Sequence, residues 1–395
     1  MPSHQLVIAD YRAGRAYSLH NSVVSDLGRG VLAEHAGILA LEERAWAWVD
    51  DLDGAVVIRV GDRDIRVPVA IPAEHLTCDP AGEHLVVSTG LGANAEPWSD
   101  VVTVIDRSTG SSARFRTRIG EPGVMVAPDQ ADGSLYVVLR HREPGAIEAI
   151  PLQQCLRVEP HVPLLAGRTT EDVADDGHGD VVDQRSGILA TATSRGLERF
   201  VVDKGTPRPI GIVPWPVSGR AFYLRFDPAT GSALGIVRGG PESPTNWTQW
   251  SNALVEIDLA TGLSTSIGLP EGLAFRFGLG GRRAAVATIH PDADTLTLID
   301  RGNEALHLAG ALPLPAMSRP PVPGRLPWDP VGGSPAQRRA VAVDPTGALV
   351  AVSRGGDAEV HLIGADRFDT FTVPTALDEG GQLYWPGSDR DPVGR

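Results

Sequence analysis

The chain has 395 residues, 42% of them hydrophobic and 21% charged, so it can bury a core, and collagen-like, coiled-coil and largely disordered classes are excluded. Its formal net charge of −14 argues against nucleic acid and anionic membranes as partners, because the summed field repels phosphate groups. With 45 glycines and 32 prolines, the sequence predicts many turns.

The first elements in chain order are two segments, 5–11 and 16–20, whose apolar patterns predict strands. They precede the repeated part of the chain. We expect them to close a ring of sheets against its last unit, because closure removes exposed strand edges.

A repeated unit begins near residue 38 and consists of a strand, a tight turn, a second strand, a polar loop and a third strand. In the three clearest copies the tight turn begins at Asp79, Asp227 and Asp344. The first turns of all copies, including four weaker ones, lie at positions 42, 79, 129, 183, 227, 280 and 344. The chain therefore contains seven predicted units, spaced 37 to 64 residues apart, which is the size of a propeller blade.

The last interval is the longest because it contains a proline-rich stretch, 311–335. Proline has no N–H to donate to a strand ladder, so this stretch cannot form a central strand. We expect an extended loop over one face.

These repeats resemble the seven-bladed β-propellers with YVTN or YncE-type repeats, which are related in pattern to quinoprotein amine dehydrogenase-like and lactonase-like propellers. The resemblance covers most of residues 31–375 and implies an all-β fold, a single domain of seven four-stranded antiparallel blades. The expected blades are 31–72, 73–120, 121–166, 167–217, 218–272, 273–318 and 336–375, with ring closure by 1–30, a proline-rich loop at 311–335 and a tail at 376–395.

The resemblance places ligands on the face that carries the loops before the innermost strands and the loops between second and third strands. Five of the 11 histidines fall in those loops: His35, His75, His141, His178 and His290. Imidazoles that converge from different blades can ligate Zn²⁺, Fe²⁺ or Mn²⁺, and our metal hypothesis uses all of these except His141. The alternative is that they are solvated turn residues, since the chain has no local motif such as H-E-x-x-H.

Acidic, tyrosine and arginine side chains on the same face are candidates for the remaining roles. Glu121, Asp176 and Tyr223 are candidates for proton transfer. Four arginines could hold an anionic group, or could instead offset neighbouring acids: Arg220, Arg276, Arg338 and Arg354. Tyr223 could equally belong to the core.

Two loops, 88–100 and 239–252, are longer than a hairpin needs, and their tryptophans could roof a pocket or cap neighbouring blades. Cys78 lies in an inner-strand pattern, where burial would make it inert. No glycine-rich phosphate loop precedes a helix, so no nucleotide cofactor is expected. Two cysteines and the lack of a signal-peptide pattern in residues 1–14 favour a cytoplasmic location.

The sequence favours an enzyme that acts on a small metabolite in the central channel, as a metal-assisted lyase, hydrolase or cyclase. One alternative is a non-catalytic propeller that binds a protein or peptide on the same face. Another is a lactonase-like hydrolase with Ca²⁺ or Mg²⁺ held by Glu34, Glu74, Asn94 and Asp176.

Overall fold

The computed structural model describes the ranges 5–30, 32–33, 35–42, 45–61, 63–90, 100–118, 123–142, 144–157, 161–302 and 305–386. In these ranges the chain forms eight sheets, each of four antiparallel strands. We call the sheets blades 1 to 8.

Blade 1 combines both ends of the chain: β1 (Leu6–Asp10), β2 (Arg15–His20), β3 (Val23–Arg29) and β32 (Gln382–Tyr384). Blades 2 and 3 hold β4 (Ile38–Glu42), β5 (Ala45–Asp50), β6 (Ala55–Val60), β7 (Arg63–Pro68), β8 (Ala73–Cys78), β9 (His84–Thr89), β10 (Val101–Asp106) and β11 (Ser111–Arg116). Blades 4 and 5 hold β12 (Gly123–Pro128), β13 (Leu135–His141), β14 (Ala146–Pro151), β15 (Arg168–Thr170), β16 (Asp180–Asp183), β17 (Ile188–Thr193), β18 (Gly196–Asp203) and β19 (Thr206–Val213).

Blades 6 and 7 hold β20 (Arg220–Asp227), β21 (Ser232–Gly239), β22 (Ser251–Asp258), β23 (Ser264–Leu269), β24 (Leu273–Gly280), β25 (Arg283–Ile289), β26 (Thr295–Arg301) and β27 (Leu306–Pro313). Blade 8 holds β28 (Val341–Val343), β29 (Val350–Arg354), β30 (Glu359–Gly364) and β31 (Arg367–Thr372). The helical pieces are α1 (Leu152–Cys155) and two 3₁₀ turns, Pro244–Gln249 and Asp378–Gly380. No helix in the described part of the chain is long and apolar enough to span a membrane.

The prediction of a propeller with four-stranded antiparallel blades is confirmed, but the number seven is wrong because the structure has eight blades. The two N-terminal segments are strands, as predicted. They do not add to the last repeat; with β3 they form three strands of a separate blade. Its fourth strand is β32, where Leu383 pairs with Ile8, so the region predicted to be a tail supplies the strand that closes the ring.

The hydrophobic core lies between adjacent blades. One buried cluster, for example, joins Val49 and Ile58 of blade 2 to Leu85 and Ile105 of blade 3. The first strands of neighbouring blades contact one another, as β8 and β12 do, whereas outer strands such as β7 are largely exposed. Burial therefore decreases from the inner to the outer strands, and the polar ends of the strands are left to form the two faces.

The repeated Asp turns have a common structural cause. The Asp79 carboxylate accepts hydrogen bonds from the backbone N–H groups of Glu83 and His84, and Asp344 accepts one from Leu349. These bonds satisfy turn amides that the strand ladder leaves unpaired, which is the usual role of aspartate in a tight turn.

The proline-rich loop is shorter than predicted. Residues 311–313 belong to the outer strand β27, where Pro313 pairs with Thr295 at the strand end. An outer strand tolerates proline because its free edge needs no N–H. From 314 onward the loop carries buried Leu314 and Met317.

Candidate functional site

The loops that lead into the first strands, and those between second and third strands, form one end of the ring, which we call the rim. Its side chains fall into two groups. The imidazole arc spans blades 2 to 5 and consists of His35, Glu74, His75, Arg140, Arg142, His178 and Asp180. The arginine tray spans blades 6 to 8 and consists of Arg220, Phe222, Tyr223, Arg238, Phe275, Arg276 and Arg338.

The arc begins with an ion pair between blades 2 and 3. His35 Nδ1 lies 2.6 Å from Glu74 Oε1. Burial raises the pKa of Glu74, but the hydrogen bond from His35 and the positive charge of Arg142 lower it by more, so the net shift is downward. A carboxylate can only accept this hydrogen bond, so Nδ1 carries the proton, and such a contact fixes the orientation of the ring.

A β-bulge puts the carboxylate of this pair at the rim. The register of β8 against β9 shifts between Ala73 and His75, so Glu74 is the extra residue. His75 is half-buried, and its pKa is lowered to about 4 by burial, an effect that Asp180 opposes and Arg140 reinforces. His75 is therefore neutral at pH 7.

The centre of the arc is a buried ion pair between blades 4 and 5. Arg140 is 1% exposed, and its Nε donates to both carboxylate oxygens of Asp180 at 2.8 and 2.9 Å. Burial raises the pKa of Asp180, but the charge of Arg140 and its hydrogen bond lower it more. The pair needs a glycine beside it, because a Cβ on Gly123 would lie 2.0 Å from Asp180 Oδ2.

The arc ends at His178, which leads into blade 5. Arg142 Nη2 donates to His178 Nδ1 at 2.5 Å, so Nδ1 is the acceptor and Nε2 carries the proton of the neutral ring. One edge of the ring is exposed, yet the pKa is lowered to about 4 by partial burial and by the charges of Arg142, Arg140 and Arg220. A protonated Nε2 is a hydrogen-bond donor and not a metal ligand.

The tray is centred on Arg238, at the end of the second strand of blade 6. Its guanidinium carbon lies 4.2 Å from the ring centre of Phe222 and 3.9 Å from that of Trp250. It pairs with no carboxylate in the part of the chain that the structure describes. Burial lowers its pKa to about 10, with a contribution from neighbouring Arg220, so it remains a cation at pH 7.

Arg220 lies beside Arg238 and is neutralised. Its Nη1 donates to Asp176 Oδ2 at 2.8 Å. Burial raises the pKa of Asp176, but two hydrogen bonds from Ser194 and the pair with Arg220 lower it more. Asp176 is therefore a fixed carboxylate that anchors Arg220, which argues against its predicted role in proton transfer.

The tray continues onto blade 7 through two bulges. Register shifts in β20 and β24 place Phe222 and Tyr223, and likewise Phe275 and Arg276, at the rim end of these first strands. Tyr223 is 48% exposed and Phe275 is 44% exposed. Tyr223 is therefore not a core residue.

Two further arginines border Phe275. The guanidinium carbon of Arg338 lies 5.8 Å from its ring centre and that of Arg276 lies 6.0 Å from it. Arg276 Nη1 also donates to the backbone carbonyl of Gly381 at 2.6 Å, which links blade 7 to the closing strand.

The one group of three or more possible metal ligands in the described residues contains none of the four predicted histidines, His35, His75, His178 and His290. His290 lies in blade 7, where its Nδ1 accepts the N–H of Asp292 at 3.3 Å, outside the imidazole arc. His178 presents a protonated Nε2, as described above. The set His35, His75, His178 and His290 is therefore not a ligand cage in this structure.

Other predicted site residues have local roles or cannot be placed. Arg354 donates to Ala316 O at 2.8 Å and pairs with Glu359, so it holds the proline-rich loop and does not clamp a ligand. Glu121, Glu34 and Asn94 lie outside the described residues. In the alternative calcium or magnesium site, the two remaining members, Glu74 and Asp176, are engaged in separate ion pairs.

One group in the described part of the chain could hold a metal ion: Asp79, Glu83 and His84, whose ligand atoms all lie within 4.8 Å of one another. It lies at a turn between first and second strands, not at the rim. His84 Nδ1 is 2.9 Å from Asp79 Oδ2, while the other Asp79 oxygen holds the turn amides.

The loop 239–252 contributes packing, whereas most of the loop 88–100 lies outside the described residues. Trp247 is fully buried and Trp250 nearly so, and both pack against Leu273 and Ile289 of blade 7 and against Met317. These tryptophans cap neighbouring blades, and Trp98 lies outside the described residues. Cys78 and Cys155 are free thiols, and burial raises the pKa of both to about 12, so Cys78 is inert as expected.

Sequence reasoning overlooked Arg238, Phe222, Arg142 and Asp180 as site residues. A signal for the first was present, because Arg238 opens an R-G-G sequence at the end of a second strand, as Arg354 does in blade 8. The sequence gives no sign that only one of these two arginines has an acid within reach.

No protein-family model matches the chain, and no curated protein matches its sequence. Among solved structures, it is similar to apo AztD from Citrobacter koseri, with a TM-score of 0.62, 14% identity and coverage of 96% of this chain and 97% of that one. It is also similar to the dihydro-heme d1 dehydrogenase NirN in complex with DHE, with a TM-score of 0.60, 15% identity and coverage of 98% and 76%.

A third similar structure is a candidate 6-phosphogluconolactonase from Bacteroides uniformis, with a TM-score of 0.52, 12% identity and coverage of 98% of this chain and 100% of that one. At such identities the likeness shows the fold alone. It supports a β-propeller fold for this chain.

Proposed function

We propose that this propeller binds a small organic anion at the rim, with the anionic group held by Arg238. The observation that carries the proposal is a half-buried guanidinium without an anionic partner in the described part of the chain. Partial removal of a cation from water is unfavourable unless an opposite charge or acceptor replaces the lost hydration. A bound carboxylate or phosphate supplies both, in the two-pronged geometry that a guanidinium favours.

The other buried arginines of the chain show what Arg238 lacks. Arg301 lies 2.6 Å from carboxylate oxygens of both Asp227 and Glu256. Arg339 lies 2.7 Å from Asp294 Oδ2. The aromatic rings on either side of Arg238 offer no hydrogen-bond acceptor, so its donors are available to a ligand.

The proposal is tested by titrating the protein calorimetrically with benzoate, acetate and inorganic phosphate. Arg238→Met keeps the apolar length of the side chain and removes the charge. Because a hydrogen bond to a charged group contributes about 1.5–3 kcal/mol, we expect this variant to weaken binding roughly ten- to a hundredfold. Arg283→Met is the matched control, since it removes one positive charge from an exposed pair with Asp300. Equal affinities for wild type and Arg238→Met, or no binding of any of these anions, would contradict the proposal.

The rim also supports proton transfer as a second candidate function. The 2.6 Å contact between His35 and Glu74 is a histidine–carboxylate pair, an arrangement that orients an imidazole for proton transfer. Incubation of the protein with an anion that passes the binding test, followed by NMR of the ligand, measures any conversion. We expect His35→Gln to abolish conversion and retain binding. A ligand that binds and stays unchanged with wild-type protein would contradict enzymatic function.

Metal-assisted chemistry does not fit the four-histidine set. His178 Nδ1 accepts from Arg142 and its Nε2 carries a proton, and His290 Nδ1 accepts the N–H of Asp292, so neither arrangement is that of a metal ligand. We derive no catalytic step through a metal. The alternative of a peptide ligand at the same rim is tested by titrating acidic peptides in the same way. Affinity for such peptides that Arg238→Met leaves intact would favour this alternative.

A further inference from the structure

A second arginine of the tray resembles Arg238. Arg338 leads into the first strand of blade 8, and its guanidinium carbon lies 5.8 Å from the ring centre of Phe275. It is half-buried and pairs with no carboxylate in the residues that the structure describes. The tray therefore has two cations without anionic partners there, each placed against an aromatic ring.

Aromatic side chains of blades 6 and 7 lie next to these two arginines. Arg238 lies against Phe222, and the next residue, Tyr223, makes an edge contact of 5.9 Å with Phe277 of blade 7. On the same strand as Phe277, Phe275 meets Arg338. Each of the two arginines thus lies beside a ring, and one ring contact, between Tyr223 and Phe277, joins blade 6 to blade 7.

The exposure of the aromatic rings in the tray is unusual for this chain. Only 5% of all residues are aromatic, and in the described ranges only four aromatic residues are exposed: Tyr223, Phe275, Trp328 and Phe368. Two of the four, Tyr223 and Phe275, belong to the arginine tray. Exposed rings grouped in this way mark a binding surface, because their burial by a ligand is favourable.

The remaining arginines of the tray are already engaged. Arg220 is paired with Asp176, and Arg276 donates to Gly381 O. A ligand at the tray therefore meets two available cations and an aromatic floor, the exposed rings of Tyr223 and Phe275.

We propose that the rim ligand is a planar dianion of the aromatic dicarboxylate class, with one carboxylate on Arg238, the other on Arg338 and its ring over Tyr223 and Phe275. This inference rests on the proposed function, and it adds the second anionic group and the aromatic body.

The test compares benzoate with the three benzenedicarboxylates and biphenyl-4,4′-dicarboxylate by calorimetric titration. For wild-type protein we expect at least one dicarboxylate to bind roughly ten- to a hundredfold more tightly than benzoate, since it gains a second charged hydrogen-bonded contact. Arg338→Met should remove this preference and leave the affinity for benzoate within about twofold. Arg238→Met should weaken both ligands, and Arg283→Met should weaken neither.

The outcomes separate the two proposals. If Arg238→Met weakens benzoate but Arg338→Met leaves the dicarboxylate preference intact, or if no dicarboxylate exceeds benzoate, the dianion inference is overturned and the anion site stands. If Arg238→Met has no effect on benzoate, both fail. Thermal unfolding of each variant verifies that it is folded. Adipate, a dianion without a ring, tests the contribution of the aromatic floor. If adipate binds as tightly as the best benzenedicarboxylate, the proposal that the ligand is aromatic is overturned.

Discussion

Partial burial gives the rim histidines a different charge state from ordinary surface histidines. The pKa values of His75 and His178 are lowered to about 4 from 6.5, chiefly by burial, so both rings are neutral at pH 7. The unfolded chain binds these protons first as the pH falls. The folded state is therefore destabilised progressively between about pH 6.5 and pH 4, and the full contribution is present only above that window.

We expect the melting temperature of the wild-type protein to decrease between pH 7 and pH 5, and the decrease to be smaller in the double variant His75→Gln, His178→Gln. Glutamine keeps a neutral polar side chain and cannot titrate. His307→Gln, an exposed position on the outer strand β27, is the control and should retain the wild-type slope. Parallel slopes for wild type and the double variant would show that these rings are not responsible.

A glycine beside the buried ion pair is needed for steric reasons. The Cβ of Gly123→Ala would lie 2.0 Å from Asp180 Oδ2, so Asp180 must move and the pair with Arg140 must open. Opening a buried charge pair leaves an uncompensated buried charge, which lowers the free energy of unfolding by about 3–5 kcal/mol. We expect a loss of that order in urea unfolding, against little change for Gly268→Ala, where nothing lies within 4 Å of the new atom. Equal stabilities of the two variants would contradict the assigned geometry.

At the scale of elements, bulges decide what reaches the rim. The first strands β8, β20 and β24 each shift register near the rim, and the extra residues include Glu74, Phe222, Tyr223, Phe275 and Arg276. The alternation of polar and apolar residues predicts strands at these places, but it does not encode a bulge. Tyr223 and Arg276 could thus be assigned to the correct face from the sequence, whereas their neighbours in space could not.

The loop between second and third strands of blade 6 is fixed by buried tryptophan. Trp247 has no exposed surface and packs in a cluster with Leu273, Ile289 and Met317. We expect Trp247→Ala to lower the free energy of unfolding by about 3–5 kcal/mol, because it leaves a large cavity. Trp328→Ala is the matched control at a position that is 51% exposed, with an expected change within about 0.5 kcal/mol. Similar losses for both, measured by denaturant unfolding, would contradict the capping role.

At the scale of the whole molecule, the sequence predicts the architecture better than the blade count. The seven repeats, whose first turns lie at Glu42, at five aspartates and at Gly280, correspond to blades 2 to 8, because their strands are continuous in the chain. A count of sequence repeats misses blade 1. Its outer strand β3 is polar and exposed, and its closing strand β32 is only three residues long and lies at the other end of the chain. Convergence of side chains from different blades depends on this closure. The sequence therefore indicates the face on which Arg220, Arg276 and Arg338 lie, but not which side chains contact one another there.

The closing strand should determine whether the ring holds together. A chain that ends at Gly381 lacks β32 and leaves β1 with an unpaired edge, because the pairs of Val7, Ile8 and Ala9 are lost. We expect a lower melting temperature and aggregation in size-exclusion chromatography. A chain that ends at Pro386 keeps every described strand and is the control. Unchanged behaviour of the shorter chain would show that closure does not stabilise the propeller.

The most direct measurement for the anion site is a crystal structure of the protein with the benzenedicarboxylate that binds best. We expect electron density for the ligand at the rim, with carboxylate oxygens about 3 Å from the Arg238 guanidinium. Density for the ligand elsewhere on the protein, with Arg238 still unpaired, would contradict it.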